Sequence, residues 1–300
     1  MASLPTIKQL RYLVELEKQQ HFGHAAEACF VSQSAFSVAI RELESNLNVK
    51  LVDRTNRSVT FTAIGRQIAA QARLCLFDLE GLVDIANEQR DPLSGDLRLG
   101  AIPTIAPFML PKILPGIRKS FPKLDLYLRE EQTQSLYEEL TNGSLDVILI
   151  ALPYDLKNVQ TMPLFEDHFL LATHKKSRLL DNPQDFRVNR LKPGEILLLE
   201  EGHCLRDHVL SAMKLKNQDR LNRFSATSLH TLVQMVDSDL GISFIPQMAK
   251  GSSLLKNTNV MLHEMNKTYV REIALAWRAS SARGDEFRQL GELMKELMSK

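Results

Sequence analysis

The sequence has 300 residues, 44% hydrophobic and 24% charged, which is enough apolar material for two or three ordinary domains. A net charge of +1 excludes binding to polyanions through bulk charge, so nucleic-acid contact would have to rest on local clusters. Three scattered cysteines (Cys29, Cys75, Cys204) exclude a disulfide framework and a zinc-ligand spacing. No signal pattern opens the chain and no apolar run nears the ~20 residues of a membrane span, so a cytoplasmic, non-membrane protein is expected.

Residues 1–62 read as a small helical unit with a wing. Ile7, Leu10, Leu13, Val14 and Leu16 form one apolar face. A short helix follows over His21 to Phe30, then the connection Val31-Ser32 with Ser32 as N-cap. The third helix runs from Gln33 to about Leu47, with Ala35, Phe36, Ala39, Ile40, Leu43 and Leu47 expected inward. Two short helices joined by a tight turn form a helix-turn-helix, whose second helix lies in the major groove. Its outward positions, Gln33, Ser34, Ser37, Val38 and Arg41, are mostly types that hydrogen-bond to base edges or phosphates. An ordinary three-helix domain with a polar face is the alternative. The wing weighs against it. Two β-prone runs flank a basic turn, so Arg54, Arg57, Thr55, Ser58 and Thr60 could reach the DNA backbone. Met1 to Arg73 carries nine Lys or Arg against six Asp or Glu, a modest local excess.

A long helix starts at Thr62 as cap. Ile68, Ala72, Cys75, Leu79, Leu82 and Ala86 recur at alternating spacings of four and three, the seam of a coiled coil. The pattern predicts a dimer helix over 63–90, with burial against the chain's own first domain as the competing use of the same residues. Packing accounts for Cys75 better than chemistry does.

Arg90 to Asp96 reads as a linker. Beyond it strands alternate with helices: strands at 97–102, 123–128 and 145–152, helices at 107–119 and 133–141. The alternation implies a mostly parallel sheet covered on both faces. Strands near 159–165 and 168–173 are placed to cross between two subdomains, 250–264 reads mainly as loop, and a strand at 272–278 precedes a C-terminal helix over about 283–298. Ligands bind such folds beyond the carboxyl ends of the strands. Thr104, Thr133, Cys204 and the pair Thr227-Ser228 all fall just past predicted strands, so they would meet in one cleft.

Cys204 is the residue with the most distinctive setting. The apolar run Glu195 to Leu199 reads as a buried strand, and Val209, Leu210, Met213 and Leu215 recur at roughly helical spacing after it. A cysteine at a strand-to-helix junction meets unpaired N–H groups and the positive end of a helix dipole, which favour the reactive thiolate. Burial acts in the opposite direction. His203, Arg206 and His208 stand nearby as donors. A small buried residue with no chemistry is the plain alternative.

Leu10-Arg11-Tyr12-Leu13, Ser32-Gln33-Ser34-Ala35-Phe36-Ser37, Ile40-Arg41-Glu42-Leu43-Glu44, Leu51-Val52-Asp53-Arg54 and Thr60 to Gly65 together resemble the LysR-type transcriptional regulators. The resemblance spans the whole chain. It implies a winged helix-turn-helix and linker helix joined to an α/β, two-subdomain, periplasmic-binding-protein-like regulatory domain over 91–300, with subdomain I at 96–164 and 268–300 and subdomain II at 165–267. Ile102-Pro103-Thr104, Gln132-Thr133, Gly202 to Asp207 and Ala226 to Leu229 are similar to the peroxide-responsive, OxyR-like branch. That likeness implies that Cys204 reacts with peroxide, that Thr104, Thr133 and His203 hold it, and that Arg278 lies beside the same pocket. It also implies promoter DNA, other copies of the chain (a dimer or tetramer) and RNA polymerase as partners, with no cofactor and no enzymatic turnover. In one respect the sequence departs from the branch. The cysteine expected nine residues after Cys204, which would close an intramolecular disulfide, is Met213. Expected oxidation therefore stops at sulfenic acid or a mixed disulfide. The alternative is a regulator that takes a small ligand in the same cleft with Cys204 redox-silent.

Overall fold

The structure is a computed structural model that describes residues 4–54, 59–86, 91–179, 186, 191–212, 221–266 and 269–299. Two compact units separate: Met1–Arg90 with Thr141–Ser144, and Asp91–Leu140 with Leu145–Lys300.

In the first unit, α1 (Ile7–Gln19) starts with a capping box between Thr6 and Gln9, and α2 (Phe22–Ala28) leads to α3 (Gln33–Leu47). Tyr12, Leu13, Leu16, Ala25, Ala26, Phe36, Ile40 and Leu43 are buried together, with Tyr12 stacked on Phe36 at 4.7 Å between ring centroids. Ala35, expected inward, is exposed: it lies in the first turn of α3, one residue before the face that Phe36 and Ile40 bury. Strands β1 (Val52–Arg54) and β2 (Val59–Phe61) pair antiparallel as the wing. Glu44 anchors it by accepting from the backbone N–H groups of Leu51 (2.9 Å) and Val52 (3.3 Å). Thr62 caps α4 (Ala63–Ala86), its Oγ1 accepting from Gly65 N–H at 2.9 Å.

The second unit is built on a mixed sheet of seven strands. Strands β3 (Gly95–Ala101), β4 (Leu124–Glu130) and β5 (Val147–Leu152) run parallel. The expectation of a mostly parallel sheet stops there. Strand β11 (Val270–Arg278) pairs antiparallel with both β5 and β6 (Val159–His174), because β11 returns from the far subdomain rather than through a helical crossover. The two segments read separately at 159–165 and 168–173 are this one sixteen-residue strand. Its second half pairs with β9 (Ser243–Pro246) and β10 (Val260–His263), so part of the region read as loop is an edge strand. Strands β7 (Ile196–Leu199) and β8 (Leu221–Ala226) form a separate parallel pair. Helices α5 (Ala106–Ser120), α6 (Thr133–Thr141), α7 (Cys204–Ala212), α8 (Leu229–Asp237) and α9 (Gly284–Ser299) cover the strands.

The unit has two apolar cores. One gathers β3, β5, α5 and α9 around Leu99, Ile148, Trp277 and Phe287. The other gathers β7, α7 and α8 around Ile196, Val209, Val233 and Phe244. Cys204 packs into the first core, while Leu205 and Val209 of the same helix pack into the second. Cys204 therefore sits where the two bodies of side chains meet, as do Phe108, which packs into the second core from α5, and Met248, which packs against both.

Candidate functional site

Cys204 is the first residue of α7, five residues past the end of β7, at the expected strand-to-helix junction. Gly202 turns the chain there with φ +94°, and a Cβ on it would lie 2.5 Å from Gln132 Oε1. The left-handed backbone favours glycine there, and its missing Cβ lets the Gln132 amide lie close. The neighbouring residue Thr133 opens α6, so two helix N-termini converge on the thiol.

Cys204 is 6% exposed. Burial raises its pKa, and this outweighs three lowering influences: the charge of Arg271, the Thr133 hydroxyl and the backbone N–H of Leu205. The negative charge of Asp207 adds to the rise. The balance the sequence leaves open thus falls on the raised side, because the helix end and guanidinium act on a sulfur that is almost free of water. Thr133 Oγ1 lies beside the sulfur, is fully buried and has no hydrogen-bond partner of proper geometry. A buried hydroxyl without a partner is costly, and it presents a ready contact to a small polar guest.

The arginine of this pocket is Arg271. It is 1% exposed and donates from Nη1 to Thr104 Oγ1 (2.8 Å) and from Nη2 to the Thr104 carbonyl (2.9 Å). Its Nε donates to Asp167 Oδ2 at 3.0 Å, and Asp167 Oδ1 accepts from Met248 N–H at 3.0 Å. Thr104, Arg271 and Asp167 form a continuous buried network from the β3–α5 turn to β6. Arg278 is not part of it. Its Nη1 donates to the carbonyls of Leu140 (2.6 Å) and Leu145 (2.5 Å), and Nη2 lies 3.9 Å from Asp146. The two arginines are seven positions apart on one strand, and an odd separation points them to opposite faces.

His203 is buried, donates to the backbone carbonyl of Thr227, and has its pKa lowered by desolvation. Ser228 caps α8, its Oγ accepting from Thr231 N–H at 3.2 Å, and Thr227 is exposed. The structure thus brings Thr104, Thr133 and Cys204 together through Arg271, and places Thr227 and Ser228 at a neighbouring helix end. Sequence reasoning missed Arg271 and Asp167 but placed His208 near Cys204 as a donor. His208 is 8% exposed on α7, one turn from Cys204, and its Nε2 sits 3.0 Å from the Pro153 carbonyl. Its spacing of four from Cys204 was the available signal. Met213 lies outside the described residues.

On the DNA-reading side, Ser32 Oγ accepts from Ala35 N–H at 3.3 Å, capping α3 as expected. Gln33, Ser34, Val38 and Arg41 are exposed and Ser37 partly so, with Arg41 Nε donating to the Ser37 carbonyl at 3.3 Å. Thr60 is exposed on β2, Arg54 ends β1, and Thr55, Arg57 and Ser58 lie outside the described residues. On α4, Ile68 packs against the first unit's own core and Ala72 is buried, while Cys75 and Leu79 are half-buried. Leu82 is 62% exposed. Ala86 closes the helix. The N-terminal half of the seam therefore serves its own domain. Among the described residues no helix is long and apolar enough to cross a membrane, and no group of His, Cys, Asp and Glu could hold a metal.

Residues 7–66 match the family described as bacterial regulatory helix-turn-helix protein, lysR family, and residues 90–299 match the LysR substrate binding domain. The chain belongs to the LysR family of bacterial transcriptional regulators. Family membership makes it a DNA-binding regulator. It is 39% identical over 298 residues to the HTH-type transcriptional regulator EstR of Acinetobacter baylyi, covering 99% of this chain and 98% of that protein. It is 36% identical over 292 residues to a hydrogen peroxide-inducible genes activator of Dickeya chrysanthemi, covering 97% and 95%. A full-length, singly substituted OxyR of Pseudomonas aeruginosa superimposes with TM-score 0.82 at 33% identity, covering 98% of this chain and 95% of that one. The LysR regulator is thus OxyR-like in sequence and in fold.

Proposed function

We propose that this LysR regulator senses hydrogen peroxide through Cys204 and controls oxidative-stress defence genes. The observation that carries the reading is the buried thiol set between the Arg271 network and the unpartnered Thr133 hydroxyl. Peroxide enters the pocket, and the Thr133 and Thr104 hydroxyls bind its oxygens. The sulfur attacks one oxygen, the O–O bond breaks, and the other oxygen leaves as hydroxide that takes a proton to become water. One thiol and one peroxide give one sulfenic acid and one water. With Met213 at the position of the usual second cysteine, the sulfenic acid persists or is capped by a small thiol.

The added oxygen does not fit a site that packs Cys204 into one core and Leu205 into the other. The junction between the subdomains, 96–164 with 268–300 and 165–267, repacks and changes how regulatory domains associate. The C-terminal part of α4, where Leu82 is exposed, dimerises the reading domain 1–62 through a linker of 63–90. Two α3 helices then dock a roughly two-fold operator in the cytoplasm, where the dimer or tetramer contacts RNA polymerase. Ser32, Gln33, Ser34, Ser37, Arg41, Arg54, Arg57 and Thr60 meet the DNA.

The test is footprinting of a responsive promoter with and without peroxide. The wild type is expected to change its footprint, and Cys204→Ser to hold the reduced footprint at every peroxide level. A Cys204→Ser protein that still responds overturns the reading.

A second reading follows from the likeness to EstR, whose name carries no reference to peroxide, and from the raised thiol. In it the pocket takes a small organic ligand, and Cys204→Ser leaves that response intact.

A further inference from the structure

A buried thiol whose proton is held tightly needs a group to receive that proton at the moment of attack. The raised Cys204 presents this requirement inside the pocket. Among the described residues, the buried side-chain atoms of the second unit without a hydrogen-bond partner include Thr133 Oγ1 and His208 Nδ1. The first is a hydroxyl beside the sulfur. The second belongs to an imidazole four positions along α7, and residues four apart on a helix are neighbours at about 5–6 Å between Cβ atoms.

The tautomer of His208 follows from its surroundings. Nε2 lies 3.0 Å from the Pro153 carbonyl, which only accepts, so Nε2 carries the hydrogen and Nδ1 keeps a lone pair. Desolvation disfavours the imidazolium and, with the smaller effect of the Arg271 charge, outweighs the Pro153 hydrogen bond and Asp207, so the neutral ring is favoured. The groups that act on it are Arg271 from β11, Asp207 on α7 and the Pro153 carbonyl, and Cys204 lies one helical turn before it on α7. Tyr154, next along the chain, feels the charges of Cys204 and Asp207. A neutral imidazole with a free, dry lone pair costs stability unless something uses it.

We infer that His208 is the proton relay of the Cys204 reaction: Nδ1 takes the thiol proton, directly or through the bound peroxide, and returns it to the departing oxygen. This rests on the peroxide reading above. The step balances: S–H is lost, S–O forms, O–O breaks, and the relayed proton leaves as part of water, with peroxide the oxidant. His208 ends neutral, so Arg271 meets an imidazolium only in passing. Arg271 stabilises the sulfur's charge while His208 moves the proton, a division of labour that a single group could not perform.

The experiment uses the full chain and follows Cys204 by mass, with peroxide and separately with iodoacetamide, from pH 5 to 9. His208→Gln keeps an amide donor for the Pro153 carbonyl and removes the base. The wild-type rate with either reagent is expected to fall on the acid side of an inflection below the ordinary histidine value. The variant is expected to react roughly 100-fold more slowly near neutral pH, at the low end of general-base contributions, and to climb steadily toward pH 9 without that inflection. Operator binding by the reduced variant checks its fold. If it does not fold, the wild-type iodoacetamide profile decides: absence of the acid-side inflection overturns the relay. A folded variant within twofold of wild type at all pH values also overturns it. A wild-type Cys204 inert to peroxide but alkylated with the inflection defeats the peroxide reading and leaves His208 as the base of the thiol.

Discussion

Strand β11 carries two buried arginines with different surroundings. Arg278 is enclosed by the Leu140 and Leu145 carbonyls and lies near Asp146, all fixed parts of the α6–β5 junction. Arg271 also has a carboxylate partner, Asp167, but spends Nη1 on a threonine hydroxyl and acts on a thiol. One arginine closes backbone. The other holds groups whose protons can move. Burial and charge alone would not separate them; the chemistry of the partners does.

The largest effects should come from removing either arginine. Arg271→Met and Arg278→Met are each expected to lower folding stability by about 3–5 kcal/mol in urea denaturation, since each strands buried partners. They should then diverge. Folded Arg278→Met should oxidise at Cys204 like the wild type, and folded Arg271→Met roughly tenfold more slowly or worse, about 1.4 kcal/mol of lost thiolate stabilisation. Equal oxidation rates would dissolve the distinction.

A smaller effect concerns pH. His203, His208 and His263 all have pKa values lowered by desolvation from the ordinary 6.5. The unfolded chain then binds protons that the folded chain refuses, so their contribution is fully present above about 6.5 and is lost as pH falls through the folded values. The urea midpoint should be flat between pH 7 and 8 and drop below about 6.5. His263→Gln should flatten part of that drop, and an unchanged slope would remove His263 from the account.

The smallest effects lie on the reading domain. Gln33→Ala should cost about 1–3 kcal/mol for operator over non-operator DNA in salt-controlled binding, without loss of folding stability. Ser32→Ala should instead cost about 1 kcal/mol of folding stability through the lost cap. If both changes act alike, α3 is not presented as described.

The reading domain was legible because its signals are local. Ser32 sits next to the helix it caps, and Phe36, Ile40 and Leu43 recur at helical spacing. The same local logic placed Cys204 at the start of α7. The arginine could not be read that way, since a guanidinium's partners across β6, β11 and the β3–α5 turn are set by sheet register. A strand that starts at Glu272 ends on Arg278 and leaves Arg271 outside it. Strands β9 and β10 were missed for a related reason: each is four residues long, too short for alternation to appear, and each is fixed by pairing with β6. The balance at Cys204 was open for the same cause, because its dryness depends on two cores meeting there.

The most direct measurement is the mass state of Cys204 in the purified full chain after stoichiometric peroxide, with and without a sulfenic-acid trap. The account predicts rapid trapping confined to Cys204, with Cys29 and Cys75 unmodified. An unmodified Cys204 under those conditions would contradict it.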